Sequence, residues 1–183
     1  MSRRLLTGFW DLVFPPLCIR CRVLLPPSEK KWQLCAACQR QVIQNKPPFC
    51  QMCSRPLTNL TSPFCKTCQT FPRSFDRAWA AVLYTRAMSD LLYRFKYGQK
   101  TALRHYFAEL MLSFITTYNL PAHKWELLVP VPLHSTRRRE RGFNQSELLG
   151  QILSENLRIP LIPNNLRRSR PTVYQARLSQ KER

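Results

Sequence analysis

The chain of 183 residues carries 29 Lys and Arg against 10 Asp and Glu, a formal charge of +19, with 44% hydrophobic and 11% aromatic residues. That share of core material excludes a disordered tail, the length suits one ordinary domain or two small ones, and no apolar run approaches the roughly 18 residues that a bilayer span requires. The charge predicts a polyanionic partner, a nucleic acid or a phosphorylated metabolite.

In chain order, residues Leu5 to Cys18, following Arg3 and Arg4, briefly resemble a secretory signal. Asp11 and the Pro15-Pro16 pair interrupt the apolar stretch and no small-residue cleavage site follows. The segment reads as a short amphipathic lead-in packed on what comes next, in a cytoplasmic protein. Eight cysteines then form four C-x-x-C pairs: Cys18/Cys21, Cys35/Cys38, Cys50/Cys53 and Cys65/Cys68. Two thiolates on one tight turn can face the same ion, and a second such knuckle a dozen residues on completes a tetrahedral site. The pattern predicts two zinc ions held by four cysteines each, in two small ribbons. Sequential pairing (18/21/35/38 and 50/53/65/68) is the simplest assignment, and interleaved pairing stays open. A disulfide framework fits poorly without an export signal, and an iron–sulfur cluster usually takes a close triplet with a distant fourth cysteine. With few aliphatic residues to bury, this segment should draw much of its folding free energy from the metal. Its cations, among them Arg20, Arg22, Arg40, Arg55 and Lys66, suit either nucleic-acid binding or a purely structural ribbon.

After Cys68 the composition changes, which sets a boundary near Phe71 to Asp76 and divides the chain into residues 1–74 and 75–183. Arg77 to Thr85 reads as a strand. Ala87 to Lys96 and Thr101 to Tyr118 read as helices broken at Gly98, the second with Leu103, Phe107, Leu110, Met111, Phe114, Ile115 and Tyr118 as its core stripe. His105 lies off that stripe and reads as a surface residue. Glu126 to Leu133 reads as a buried strand, with Pro130 and Pro132 limiting its pairing. The next stretch is a loop bearing Arg137, Arg138, Arg139 and Arg141, where Gly142 turns the chain into a helix running from Asn144 to Leu157. Asn144 caps that helix, Glu147 completes a capping box, and Leu148, Leu149, Ile152 and Leu153 face inward. Free N–H groups, a positive helix terminus and guanidinium groups then meet at the carboxyl end of a strand, an arrangement that suits a phosphate or pyrophosphate. A solvated basic loop, or one lying on nucleic-acid phosphates, fits the same spacing. A short strand at Ile159 to Ile162 and a basic tail from Arg167 to Arg183 follow. With only Gly8, Gly98, Gly142 and Gly150 in the chain, neither a G-x-G-x-x-G loop nor a P-loop can be drawn.

Taken together, the sequence resembles the ComF family of bacterial competence and DNA-utilisation proteins over essentially its whole length. The resemblance is carried by the four C-x-x-C pairs after Phe14-Pro15, by Tyr93-Arg94-Phe95-Lys96-Tyr97, and by Val129-Pro130-Val131-Pro132-Leu133. Arg138 through Arg141-Gly142-Phe143-Asn144-Gln145 and the tail residues Arg170, Thr172, Gln175, Leu178 and Arg183 complete it. It implies an α/β protein: a zinc-ribbon module followed by a type I phosphoribosyltransferase-like domain, Rossmann-like with a parallel sheet. Arg137, Arg138, Arg141, Gly142 and Asn144 would then lie on the pyrophosphate side of the site. It further implies phosphoribosyl pyrophosphate or DNA as ligand, the DNA single-stranded and read with weak sequence preference, and proteins of the DNA-uptake machinery as partners. The chain lacks the adjacent acidic pair and the Thr-Thr-Gly loop that hold ribose and 5′-phosphate in such enzymes, and it reads as a C-terminally truncated, incomplete domain. Mg²⁺ is expected only where the complete domain is active. The alternative is a non-enzymatic, zinc-dependent nucleic-acid-binding protein.

Overall fold

Two hydrogen bonds define the first knuckle: Arg22 N–H donates to the Cys18 carbonyl (2.9 Å) and Cys18 N–H to the Val23 carbonyl (2.8 Å), beside an antiparallel bridge from Leu17 to Leu24. The turn takes Arg22 to φ 65°, a left-handed conformation that glycine adopts more easily. In this computed structural model, which describes residues 14–171 apart from Leu60 and Pro72, the first ribbon closes on helix α1 (Ala36–Arg40), with Cys35 in extended backbone at its N-cap. The second ribbon repeats the first bond for bond. Ser54 N–H donates to the Cys50 carbonyl (2.8 Å), Cys50 N–H to the Arg55 carbonyl (2.8 Å), Phe49 bridges Pro56, and Ser54 takes φ 57°. Cys65 then caps helix α2 (Lys66–Thr70). Even a side-chain brace recurs: Gln39 Nε2 donates to the Leu34 carbonyl (2.8 Å) and Gln69 Nε2 to the Phe64 carbonyl (3.0 Å).

Residues 77–85, which the alternation predicts as a strand, form no strand and meet the ribbon module through one isolated bridge. Asn45 N–H donates to the Ala81 carbonyl (3.0 Å) and Leu83 N–H to the Ile43 carbonyl (2.9 Å), around an antiparallel bridge from Gln44 to Val82. Asn45, fully buried, adds bonds from Nδ2 to the Ser54 and Ala80 carbonyls (2.7 and 3.1 Å).

Helix α3 (Arg86–Tyr97) starts where the Thr85 hydroxyl accepts from Met88 N–H (3.3 Å) and buries Ala87, Met88, Leu91 and Phe95. Helix α4 (Leu103–Thr117) follows and buries Leu103, Tyr106, Phe107, Ala108 and Phe114; of the expected stripe, Leu110 also packs on the core and Tyr118 packs on Phe114, while Tyr106 and Ala108 join it. His105 is exposed, as expected. The core of α3 and α4 is continuous with Cys18, Ile19, Leu25, Leu34, Cys35, Cys38 and Val42 of the first ribbon. Edge-to-face packing of Trp32 on Tyr106 (6.1 Å) extends that contact, while the second ribbon reaches the far end of α4 through Phe49 against Phe114 and Tyr118 (5.9 and 5.6 Å). Helix α4 is thus a strut shared by both ribbons.

Two expectations fail in the next segment. Residues 126–133 form no strand. Leu128 alone bridges Leu161, in parallel sense, and Leu127 and Val131 are 43% and 69% exposed. A Val- and Leu-rich run is buried only by strands on either side, and among the described residues this one has a neighbour on one side only, while Pro130 and Pro132 withhold their donors. The arginine segment is likewise no loop but helix α5 (Ser135–Arg141), begun by His134 and ended by Gly142 at φ 78°. Arginine is a good helix former, and between a capping residue and a glycine that propensity outweighs repulsion along the run. Helix α6 (Gln145–Leu157) begins at Asn144, whose Oδ1 accepts from Ser146 N–H (3.1 Å). It packs on α4. Gly150 lies buried beneath Leu161, where an added Cβ would come 2.7 Å from Cδ1, so this glycine permits the helix to approach residues 159–162 closely. Among the described residues, then, the parallel sheet is reduced to one bridge. The lead-in up to residue 13 and the tail positions Thr172, Gln175, Leu178 and Arg183 lie outside the described residues.

Candidate metal centres and phosphate cleft

The ribbon turns bring the cysteines together in the sequential pairing. Sγ atoms of Cys18, Cys21, Cys35 and Cys38 lie within 4.8 Å of one another, as do those of Cys50, Cys53, Cys65 and Cys68. A tetrahedral ion with metal–sulfur bonds of about 2.3 Å requires sulfur–sulfur edges of about 3.8 Å, whereas a disulfide requires about 2.05 Å. The observed Cys21–Cys35 and Cys53–Cys65 separations are 3.6 and 3.7 Å. The donor set and spacing therefore fit one tetrahedral, thiolate-loving ion in each centre, and zinc satisfies both conditions.

The protein also prepares the charge. Burial raises the Cys18 thiol, but the backbone N–H groups of Cys21, Cys35 and Arg20 outweigh it and lower the group to about 6. Cys50 repeats the balance through Cys65, Cys53 and Met52 and also falls to about 6. Cys38 and Cys53 go the other way, to about 12, chiefly through burial and then through neighbouring thiols. Each centre thus holds one ready thiolate and a partner that gives up its proton only to the metal.

Arg20, between Cys18 and Cys21, distinguishes the first centre. Its guanidinium donates to Cys38 Sγ (3.9 Å), to Gln41 Oε1 and, across the molecule, to Asp90 Oδ2 on α3 (3.4 Å), and Arg94 of α3 donates to the Arg20 carbonyl (3.4 Å). A donor behind a metal-bound thiolate stabilises its charge and fixes its orientation. Sequence spacing counted Arg20 only among the loop cations, because its partners are distant in the chain.

The five predicted phosphate residues separate into two places. Arg138 and Asn144 line a cleft of about 260 Å³ together with Ser135, Arg167 and Arg168, where residues 126–133 and 159–162 both end. Asn144 Nδ2 donates to the Val131 carbonyl (3.1 Å) and so ties the helix start to the extended segment. Arg138 pairs with Glu147 (3.4 Å), which takes Glu147 away from the expected capping box. Arg141 points elsewhere: it donates to Gln145 Oε1 (3.1 Å) and the Tyr97 hydroxyl (3.2 Å), stacks 4.8 Å from the Tyr97 ring, and lines a second cleft with Lys96. Arg137 is half-buried on α5, and Gly142 is exposed at the end of that helix. Arg167 and Arg168, which the sequence places only in a basic tail, supply the first cleft's remaining cations, because the turn after Ile162 folds back beside α5.

Two tetrads on duplicated knuckles, followed by helices with a basic cleft, define a double zinc ribbon protein. The double zinc ribbon domain family matches residues 9–69. The chain is 32% identical over 170 residues to Competence protein F of Haemophilus influenzae, covering 91% of this chain and 71% of that protein. It is 32% identical over 174 residues to the DNA utilization protein YhgH of Salmonella typhimurium (92% and 73%), and 33% identical over 99 residues to Competence protein ComFC of Bacillus subtilis (53% and 40%). No solved structure matches. The chain belongs to the ComF family. Among the described residues no helix is long and apolar enough to cross a membrane.

Proposed function

We propose that the chain acts in the uptake or utilisation of DNA, and that the Arg138 cleft receives a phosphate group, either of single-stranded DNA bound with weak sequence preference or of phosphoribosyl pyrophosphate. The observation that carries this reading is the convergence of Arg138, Arg167, Arg168, Ser135 and Asn144 where two extended segments end beside the start of α6. The names of the relatives, competence and DNA-utilisation proteins, support the same direction. Under this reading residues 1–74 are the ribbon module, and residues 75–183 have a type I phosphoribosyltransferase-like, Rossmann-like architecture. The parallel bridge from Leu128 to Leu161 and the close seat of Gly150 on Leu161 support that architecture. Magnesium would act only with the acidic pair and Thr-Thr-Gly loop of a complete domain. Proteins of the DNA-uptake machinery are the partners this role requires. A cytoplasmic location accords with eight cysteines arranged as thiol ligands.

A second reading, a non-enzymatic zinc-dependent nucleic-acid-binding protein, is favoured by the exposed cations Arg22, Arg40, Lys46, Arg55 and Lys66 on the ribbons. Binding measurements separate the two. Phosphate contacts make log K for DNA fall linearly with log salt between roughly 50 and 200 mM, and Arg138→Ala should reduce that slope by about one. A salt-insensitive affinity rules out backbone contact. Titration calorimetry with phosphoribosyl pyrophosphate reports the enzymatic side: binding that Arg138→Ala weakens favours the first reading, and no binding favours the second.

A further inference from the structure

The outer side of α3 and the residues just before it carry large exposed tyrosine rings. The core side of the helix is taken by Ala87, Met88, Leu91 and Phe95, whereas Tyr93 and Tyr97, one turn apart, are 65% and 44% exposed with ring centroids 5.1 Å apart. Just before the helix, Tyr84 is 78% exposed, and its hydroxyl meets Ser89 Oγ (3.1 Å), one turn before Tyr93. Three rings therefore follow one another along the helix, each four-residue step rising about 6 Å. Leaving three large rings in water forfeits apolar burial, and the cations beside them suggest what covers them.

Arg141 is held in place at the end of this line. The buried Gln145 accepts from Nη1 (3.1 Å) and itself donates to the Lys96 carbonyl (3.4 Å), while Nη2 donates to the Tyr97 hydroxyl and the guanidinium carbon lies 4.8 Å from the ring. Lys96 and Arg141 border a cleft of about 270 Å³ with Tyr97, and Arg86 lies at the other end of the helix. The acidic groups facing the same side are Asp90, engaged by Arg20, and Glu140 at the cleft wall. Aromatic faces spaced along a track, with cations at the edges, match the way proteins hold single strands: bases stack on the rings and phosphates lie on the cations. A duplex cannot use such a track, because its bases already stack on each other.

We propose that Tyr84, Tyr93 and Tyr97, with Arg141 and Lys96, form a base-stacking track for single-stranded nucleic acid, separate from the Arg138 cleft. The inference rests on the nucleic-acid reading above. The test is fluorescence anisotropy of the full, zinc-loaded chain with a labelled oligothymidylate and with a duplex of equal length. A Tyr84→Ala/Tyr93→Ala double variant alters two exposed side chains outside the core, and a Tyr84→Phe/Tyr93→Phe variant keeps the rings. The expected result is a loss of single-strand affinity of at least about fivefold per ring in the alanine variant, with the salt slope and duplex affinity unchanged and the phenylalanine variant close to wild type. Wild-type single-strand affinity in the alanine variant, or equal losses for strand and duplex, overturns the track while leaving the nucleic-acid reading in place. A wild-type chain that binds neither probe overturns that reading and the track with it.

Discussion

Arg20 shows how one side chain can couple a metal centre to a helix that coordinates no metal. Burial alone would favour the neutral guanidine, yet the contacts with Cys38 and Asp90 push the group the other way, and a guanidinium is ionised at every working pH. Replacing it with a residue of similar volume, Arg20→Met, removes the donor behind Cys38 and the link to Asp90. Zinc at the first centre should bind about tenfold more weakly and the second centre should be unchanged, as measured by chelator competition resolved into two steps. Asn144 illustrates the opposite degree of legibility. Its capping role could be read from the sequence because a cap is local: the acceptor and the Ser146 N–H are two residues apart. The partners of Arg20 lie 18 to 70 residues away, and no spacing rule reaches them.

At the level of elements, the cysteine pairs and the two long helices were legible because each is set by short-range geometry: a tight turn for the knuckles, a 3.6-residue period for α3 and α4. What was not legible depends on neighbours. Residues 126–133 have the composition of a buried strand, but burial comes from flanking strands, and Leu161 alone is in register with Leu128. Helix α5 is hidden for another reason: the charge of an arginine run suggests a solvated loop, while its helix propensity, unseen in that charge, favours a helix. The ribbons, though duplicates, differ in what rests on them. The first shares its apolar core with α3 and α4, and the second meets α4 where Phe49 packs on Phe114 and Tyr118. Cys38→Ser should therefore loosen α3 and α4 together with the first ribbon, whereas Cys68→Ser should disturb only the second. Hydrogen exchange at Leu91 and Phe95 amides discriminates the cases: fast exchange in the first variant and near-native protection in the second, with equal protection in both sinking the claim.

For the molecule as a whole, the residues that the sequence suggests as one phosphate-binding cluster stand apart, with Arg138 and Asn144 in one cleft and Arg141 in another. The cause is α5: as a helix it sends successive arginines to different sides, where a loop could have gathered them. The charge balance of the metal centres also has a consequence for the whole protein. Cys18 and Cys50 are depressed to about 6, so they are thiolates above that pH and thiols below it, while Cys38 and Cys53, raised to about 12, stay protonated until metal arrives. Zinc entry into the metal-free protein should accordingly release protons at neutral pH and slow steeply as the pH falls through about 6. Stopped-flow mixing with zinc over a pH series would show it, and a rate that is flat across that interval would contradict the assignment.

The shared strut also dictates an order of assembly during synthesis. The first metal centre is complete once Cys38 has emerged from the ribosome, but its apolar side, formed by Ile19, Leu25, Leu34 and Val42, has nothing to rest on until Leu91, Phe95 and Phe107 arrive. A nascent ribbon that took up zinc at this stage would hold an open hydrophobic face until the second half of its own core arrived. The metal would then fix a template early, onto which the helices delivered later by translation fold.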